Sequence, residues 1–137
     1  MDGLQNSTGI SASGMRAQAN RLRHVSENIA NADTPGYRRK LTTFEMVVES
    51  GRETGRIKTG PVELDRSVLE QVFDPSHPLS DENGYHEGSN VSLVVEIADA
   101  REAQRSYEAN LRVFDQARRM RSSLLELLRR ERKKRWT

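Results

Sequence analysis

Asn28-Ile-Ala-Asn-Ala-Asp-Thr-Pro-Gly-Tyr37 is the stretch that decides how this chain of 137 residues folds. Pro35 has no donor N–H and disfavours the α conformation at Thr34, so a helix arriving from the N-terminus must end near Ala32. Pro35 and Gly36 then fit the two central positions of a type II turn, in which glycine takes a positive φ. The stretch therefore predicts a helix, a tight turn and a change to extended chain.

The residues before this stretch have a heptad pattern typical of a helix that packs against another helix. Ser11 or Ser13 is a candidate N-cap, so we expect a helix of about 20 residues within an N-terminal arm at residues 1–33. Val25 widens its stripe of small and apolar residues. The stripe contains Ala12, Met15, Ala19, Leu22, Ser26 and Ile29.

Residues 34–89, which begin with the Thr-Pro-Gly-Tyr turn, indicate a small insertion of short strands and loops. Gly60-Pro61 interrupts an alternating segment at residues 56–64, which favours an edge strand or a bend. Turn-forming residues cluster at Asp74–Pro78 and again at Asp81–Tyr85. An insertion of this kind has too little apolar surface to be stable alone.

The C-terminal part carries a second, longer heptad pattern at residues 90–128, followed by a basic tail at residues 129–137. Asn90 or Ser92 is the candidate cap. No Pro or Gly follows Gly88, so a helix of roughly 35 to 40 residues is allowed, about 55 Å long. Its stripe contains Leu93, Ile97, Ala100, Tyr107, Leu111, Phe114, Ala117, Met120, Leu124 and Leu127.

These patterns predict a mainly α fold with a small β and loop insertion. We expect an elongated subunit whose N- and C-terminal helices pair through their stripes as an antiparallel coiled coil. The second helix is the longer one, so a single hairpin leaves Leu124, Leu125, Leu127 and Leu128 largely in water. Burying such leucines is worth several kcal/mol. Neighbouring copies or related subunits are the natural place for that burial.

The composition argues against a compact enzyme. Apolar residues make up 34% of the chain and charged residues 31%, and there is no Cys. Disulfides, thiolate metal sites and Cys nucleophiles are therefore excluded. His24 falls on the polar side of the first helix and His77 and His86 fall in loops, where no metal-site spacing or catalytic motif accompanies them. We predict no enzyme activity, no metal and no cofactor.

Charge is distributed unevenly along the chain. Residues 118–137 hold nine Arg or Lys and two Glu, or +7, so with a net charge of +2 the remainder carries −5. A basic helix can bind nucleic acid or an anionic membrane surface, which is the alternative function. No aromatic platform or groove-reading motif accompanies the run, which favours a solvated helix end.

With these motifs placed, the chain resembles the bacterial flagellar axial proteins, specifically the basal-body rod family. Asn28–Tyr37 looks like the N-terminal signature of that family. Within the family the chain is most similar to the proximal rod subunit. The residues behind this similarity are Asp74–Pro78, Asp81–Tyr85, Asn90-Val91, Arg105–Asn110, Leu111, Val113 and Met120, and the tail past about Arg129 extends beyond the usual family end.

The resemblance implies a structural subunit that packs helically into the periplasm-spanning drive shaft of bacterial motility. It implies export through the flagellar type III apparatus with an uncleaved signal, which agrees with the polar residues 1–13. Expected partners are other rod subunits, further copies within the tube, and the adapter between rod and export gate. No nucleic acid is expected, and no segment approaches the roughly 20 apolar residues that span a bilayer.

We expect the assembly surface to combine the Asn28–Tyr37 motif with apolar residues of both stripes. The amides of the paired asparagines are expected to satisfy backbone groups at the helix end and at a subunit contact. The interface residues expected in this way are Met15, Leu22, Asn28, Ile29, Asn31, Pro35, Gly36, Tyr37, Tyr107, Asn110, Leu111, Phe114, Met120, Leu124 and Leu127.

Overall fold

Two long helices are joined by three small β-ladders in a computed structural model that describes residues 2–136. The helices are α1 (Asp2–Ala30) and α2 (Leu93–Arg135). The strands are β1 (Lys40–Leu41), β2 (Phe44–Glu49), β3 (Arg52–Thr59), β4 (Glu63–Leu64), β5 (Gln71–Phe73) and β6 (Tyr85–Glu87). Each pairs antiparallel with one other strand, β1 with β4, β2 with β3 and β5 with β6. The predicted class, mainly α with a small β insertion, is confirmed.

The first helix begins earlier than the sequence pattern indicates, at Asp2 instead of Ser11 or Ser13, and has 29 residues. The hydroxyl of Ser13 does not cap a helix start, because it donates to the carbonyl of Ile10 at 2.7 Å within the helix. Tertiary contact supports the extra turns, since a β-carbon at Gly55 of β3 would lie 2.9 Å from the side chain of Ile10. The prediction of a 20-residue helix was wrong because it used local signals alone.

The turn after α1 forms as predicted. Gly36 has a φ of 75°, and the amide of Tyr37 donates to the carbonyl of Thr34 at 3.1 Å. This bond spans the four residues of a turn with Pro35 and Gly36 at its centre. The chain leaves this turn as extended backbone and enters β1 at Lys40.

The helices α1 and α2 pack side by side in opposite directions, forming what we call the helix hairpin. Asn28 of α1 contacts Glu96 of α2, and Gly14 lies against Asn110 farther along, so numbers fall along one helix as they rise along the other. By this register Asp2 lies level with residues near 122. At 1.5 Å per residue, the 43 residues of α2 span about 65 Å against about 43 Å for α1.

The line of contact between the helices, here called the seam, is made of small and polar residues. In α1 it lies one position before each residue of the predicted stripe, at Ser11, Gly14, Gln18, Arg21, Val25 and Asn28. In α2 the buried residues are Glu96, Ala103 and Ala117. The prediction that the helices pair through their apolar stripes was therefore wrong for α1, and among the described residues of α2 Ala117 is the only buried member of the predicted stripe. Arg21 pairs with Asp99 across the seam, so polar groups take the place of leucines.

Gly14 allows a close approach of the two helices. A β-carbon there would lie 2.7 Å from the amide atoms of Asn110, whose nitrogen donates to the carbonyl of Ser106 at 2.9 Å. We expect Gly14→Ala to lower the free energy of unfolding by about 1–2 kcal/mol, since overpacking outweighs the gain in helix propensity. Chemical denaturation measures this change. Gly3, with no neighbour within 4 Å, is the matched control, and Gly3→Ala should stabilise; equal effects at both glycines would contradict the prediction.

Candidate assembly interface

Asn28 fastens the end of α1 to the extended chain that follows the turn. Its side chain is 1% exposed, and its oxygen accepts from the Lys40 amide at 2.9 Å and from the Tyr37 hydroxyl at 2.8 Å. Its nitrogen donates to the Lys40 carbonyl at 3.0 Å and to a Glu96 carboxylate oxygen at 3.2 Å. The amide thus uses both donors and both acceptor positions within the subunit.

Glu96 is a carboxylate at the centre of this end of the molecule, and its side chain is 0% exposed. Arg39 donates to it through Nε, and Asn28 donates from α1. The Arg39 guanidinium also lies 3.8 Å from a carboxylate oxygen of Asp65. Hydrogen bonds from the backbone amide and hydroxyl of Ser67 hold the pKa of Asp65 below its usual range. One buried charge therefore ties α1, the turn, the β4 region and α2 together.

Asn90 joins the same cluster instead of capping α2. Its oxygen accepts from the Arg39 amide at 2.6 Å and its nitrogen donates to the Asp65 carbonyl at 2.9 Å. Ser92 occupies the N-cap position of α2 but makes no side-chain capping bond. The hydroxyl of Ser89 donates to the carbonyl of Ala32 just beyond α1. Sequence reasoning missed Arg39, Asp65 and Glu96, because their partners are distant in the chain.

The other motif residues lie beside this cluster. Asn31 donates to the Glu27 carbonyl at 2.8 Å and accepts from the Thr34 hydroxyl at 3.1 Å, so its amide closes the helix end locally. Burial raises the pKa of Tyr37. The amide of Gly36 donates to the carbonyl of Gly88 at 3.1 Å. We call this end of the hairpin, where the turn, β1, β4, β5 and β6 meet, the turn pole.

The flank of α1 on one side of the seam is covered by the insertion. The Ser13 hydroxyl accepts from the Ile57 amide of β3 at 3.1 Å, and the Asn20 amide donates to the Thr59 hydroxyl at 3.1 Å. Both residues directly precede seam residues of α1. This flank of the hairpin is therefore occupied within the subunit.

The opposite side of the hairpin carries the large apolar residues of the predicted stripes. The residue after each seam residue is turned by about 100°, and because the helices are antiparallel, the following residues of both helices lie on the same side. These are Met15, Leu22 and Ile29 in α1, and Ile97 and Leu111 in α2. Met15 and Leu22 are half-buried, whereas Ile29, Ile97 and Leu111 are exposed.

We call this surface the outer flank. It also includes Leu93, Tyr107 and Phe114, which lie between Ile97 or Leu111 and the seam. Leu93 and Tyr107 are exposed, and the Arg118 guanidinium lies 5.8 Å from the centre of the Phe114 ring. A row of apolar groups along two adjacent helices is typical of a surface that packs against a third helix.

The second exposed apolar region is the part of α2 that extends past the start of α1. By the register above it comprises residues 123–135, here called the overhang. Leu124, Leu125, Leu127 and Leu128 are all exposed there, Leu128 by 58%. The prediction that these leucines find no cover within one hairpin is confirmed. Met120, at the edge of this region, is also exposed.

His24 is buried, contrary to the prediction that it lies on the polar side of α1. Its Nδ1 is 2.7 Å from the Thr42 hydroxyl, and burial is the main cause that lowers its pKa. The Glu27 carboxylate opposes this lowering, whereas the charges of Arg23 and Lys40 add to it. A lowered folded-state pKa means that the unfolded chain binds the proton more readily. Stability is then fully present above the unfolded pKa near 6.5 and is lost as the pH falls towards the lower folded pKa.

We expect the free energy of unfolding to decrease between about pH 7.5 and pH 5.5, and this decrease to be smaller in His24→Gln. Thermal or urea denaturation at the two pH values measures the difference. His77→Gln is the control, because His77 lies in a loop. Its ring stacks on that of His86, with the ring centres 4.1 Å apart. A pH dependence that persists unchanged in His24→Gln but disappears in His77→Gln would contradict the assignment.

The loop carboxylates near these two histidines serve the turns. Asp74 accepts from the Ser76 hydroxyl at 2.7 Å, and this bond is the main cause that lowers its pKa. Asp81 accepts from the amides of Asn83 and Tyr85. Residues 2–136 contain no group of three or more side chains placed to hold a metal ion. In the same range neither helix is long and apolar enough to cross a membrane.

Comparison with known proteins finds matches along most of the chain. Residues 10–38 match the family model of the flagella basal body rod protein, and residues 82–127 match that of the flagellar basal body rod FlgEFG protein C-terminal region. The chain is 43% identical over 135 residues to the flagellar basal-body rod protein FlgC of Agrobacterium fabrum, covering 93% of this chain and 97% of the relative.

Similar proteins occur in other bacteria. The FlgC protein of Salmonella typhimurium is 34% identical over 130 residues, which cover 90% of this chain and 97% of the relative. That of Borreliella burgdorferi is 33% identical over 149 aligned residues, which cover 92% and 98%. The matched regions contain the Asn28–Tyr37 motif and most of α2, the two parts that meet at the turn pole.

Proposed function

Because this chain belongs to the family of the flagellar basal-body rod protein FlgC, a structural and non-enzymatic component of the bacterial flagellum, we propose that its outer flank and overhang are the surfaces that assemble it into the rod. The protein is a structural subunit of the basal body, and bacterial motility follows from that role.

The observation that carries the proposal is the separation of polar and apolar residues between the seam and the outer flank. The hairpin buries Asn28 and Glu96 inside the subunit and leaves Leu111 and Ile97 in water. Exposed apolar rows of this length favour burial against a partner. We propose that helices of neighbouring subunits pack on the outer flank in coiled-coil fashion, giving a helical tube.

Low stability of the single subunit supports the proposed export route. Among the described residues the buried apolar side chains are Ala17, Val25, Leu69, Ala103 and Ala117. Three of them are alanines, so little hydrophobic free energy holds the monomer together. A chain of this kind unfolds readily, as passage through a type III apparatus requires. We propose export without a cleavable signal to a periplasmic, proximal rod, where contacts with other rod subunits and the adapter to the export gate complete the fold.

The four segments of the chain have separate roles in this proposal. Residues 1–33 form the N-terminal arm, 34–89 the insertion, 90–128 the paired helix and 129–137 the basic tail. Asn28, Asn31, Pro35, Gly36, Tyr37 and Asn110 act indirectly, because they hold the hairpin that presents the outer flank. The residues proposed to contact neighbours directly are Met15, Leu22, Ile29, Tyr107, Leu111, Phe114, Met120, Leu124 and Leu127.

Circular dichroism against protein concentration tests the proposal, with and without a second purified rod subunit. We expect helicity and sedimentation rate to rise together as subunits assemble, because packing on the outer flank stabilises helices that are marginal alone. A chain that stays monomeric and fully helical at high concentration, with and without the second subunit, would contradict it. Binding to nucleic acid or membranes through the basic helix has no support among the relatives.

A further inference from the structure

We propose that the basic overhang of one subunit docks on an acidic patch at the turn pole of a second copy of this chain, which joins copies head to tail. This inference rests on the proposed function and adds a specific, electrostatic contact to it. Two features of the molecule carry the inference, the opposite charge of its two ends and the exposed apolar groups at both.

The overhang combines positive charge with apolar side chains. All described residues after Ala117 are exposed, and residues 123–135 hold six Arg or Lys and two Glu, or +4. Two ion pairs within the overhang are local, with Arg130 lying 3.2 Å from Glu126 and Lys134 lying 3.8 Å from Glu131. Trp136 adds an aromatic ring that is 87% exposed. No part of the described insertion packs on this end of α2.

The acidic patch lies at the opposite end of the molecule. Residues 63–90 contain seven Asp or Glu and one Arg, or −6. Arg38 and Arg39 contact this segment at Asp65 and Ser67 and reduce the local charge to −4. Exposed carboxylates lie at one end of the β5–β6 ladder, Glu70 just before β5 and Glu87 as the last residue of β6. The same ladder exposes Phe73, whose ring centre lies 5.1 Å from the ring centre of Tyr85. Leu79 and Val68 are exposed nearby in the sequence. The patch therefore offers both negative charge and apolar contact area.

The overhang cannot reach the acidic patch of its own subunit. The patch belongs to the turn pole, which lies at the start of α2 because Asn90 and Glu96 are part of it. The overhang begins about 30 residues farther along a continuous helix, or about 45 Å away at 1.5 Å per residue. A contact between the positive overhang and the negative patch must therefore join two molecules, and it uses a different surface on each. Contacts of this type continue into open chains and do not close into dimers.

A second copy is the partner that this charge pattern favours, because each molecule carries both complementary regions. Opposite charges steer the ends together and fix their register, and the leucines and aromatic rings supply the area that is removed from water. Arg side chains over Phe73 and Tyr85 add cation–π contacts. A nucleic acid would match the charge of the overhang but leave its leucines in water.

Charge reversal in full-length protein tests the contact. The tail variant is Arg129→Glu with Arg132→Glu, and the patch variant is Glu70→Lys with Glu87→Lys, all at exposed positions. Sedimentation velocity then measures self-association at low salt. We expect the dissociation constant of each variant alone to rise about tenfold. In an equimolar mixture, the acidic tail of one variant meets the basic patch of the other, so association should return towards that of the wild type.

The matched control is Arg101→Glu with Arg105→Glu, which changes the net charge equally on an exposed face of α2 and should leave the dissociation constant unchanged. Salt of about 0.5 M should weaken the wild-type contact by screening. The inference is overturned if either variant associates as well as the wild type, if the mixture associates no better than its components, or if the overhang binds duplex DNA while the chain remains monomeric. Assembly with a second rod subunit that survives in the charge variants would leave the proposed function intact while excluding this contact.

Discussion

Glu96→Ala is expected to lower the free energy of unfolding by about 3–5 kcal/mol, because it removes one partner from a buried ion pair. Arg39 would remain charged, and Asp65 would be the remaining carboxylate near its guanidinium. The side-chain nitrogen of Asn28 would lose one of its two acceptors. The cost is large relative to the total stability of a small domain. We therefore expect the monomer to lose the fixed pairing of α1 with α2 at 25 °C.

Urea denaturation followed by circular dichroism measures this loss, and two variants serve as its controls. Glu102→Ala removes an exposed carboxylate that lies 3.5 Å from Arg21, so the free energy of unfolding should change by about 0.5 kcal/mol or less. Glu96→Gln keeps the shape and one acceptor oxygen, so its effect should be intermediate. Equal stability of Glu96→Ala and Glu102→Ala would show that the buried carboxylate does not hold the turn pole together.

Leu111→Asp should abolish incorporation into the rod while the monomer remains folded. Leu111 lies on the outer flank and is 39% exposed, so the substitution is expected to change the stability of the monomer by about 1 kcal/mol. In an assembled interface the same carboxylate would be desolvated without a partner, which costs several kcal/mol. We expect loss of swimming in a strain that depends on this variant.

The width of the swimming halo in soft agar and the amount of the protein in isolated basal bodies measure this effect. Val48→Asp is the matched control, because Val48 is exposed in β2, whose partner strand β3 covers the opposite flank of α1. It should support normal swimming. Normal swimming of Leu111→Asp, or equal loss in both variants, would contradict the role of the outer flank.

The long-range contacts explain why parts of the candidate site could not be predicted from the sequence. Glu96 reads in the sequence as an ordinary polar residue in the first turn of α2, and only the approach of Arg39 and Asn28 makes it a buried ion. Helical periodicity predicts that His24 is exposed to solvent, but in the folded chain its ring is hydrogen-bonded to Thr42. Burial depends on what packs against a helix face. Periodicity identifies the residues that share a face, but it does not identify the segment that packs against them.

The sequence by itself determined the elements: two helices, the Pro35-Gly36 turn, a weakly β insertion between them, and an excess of apolar side chains at the end of α2. These follow from backbone sterics and side-chain periodicity, which act within a few residues. Only the tertiary structure decided which side of α1 is buried. The seam lies one position before the predicted stripe, because polar groups such as Arg21 and Asn28 find charged partners in α2. The apolar residues are thereby left outside, where a neighbouring subunit can cover them.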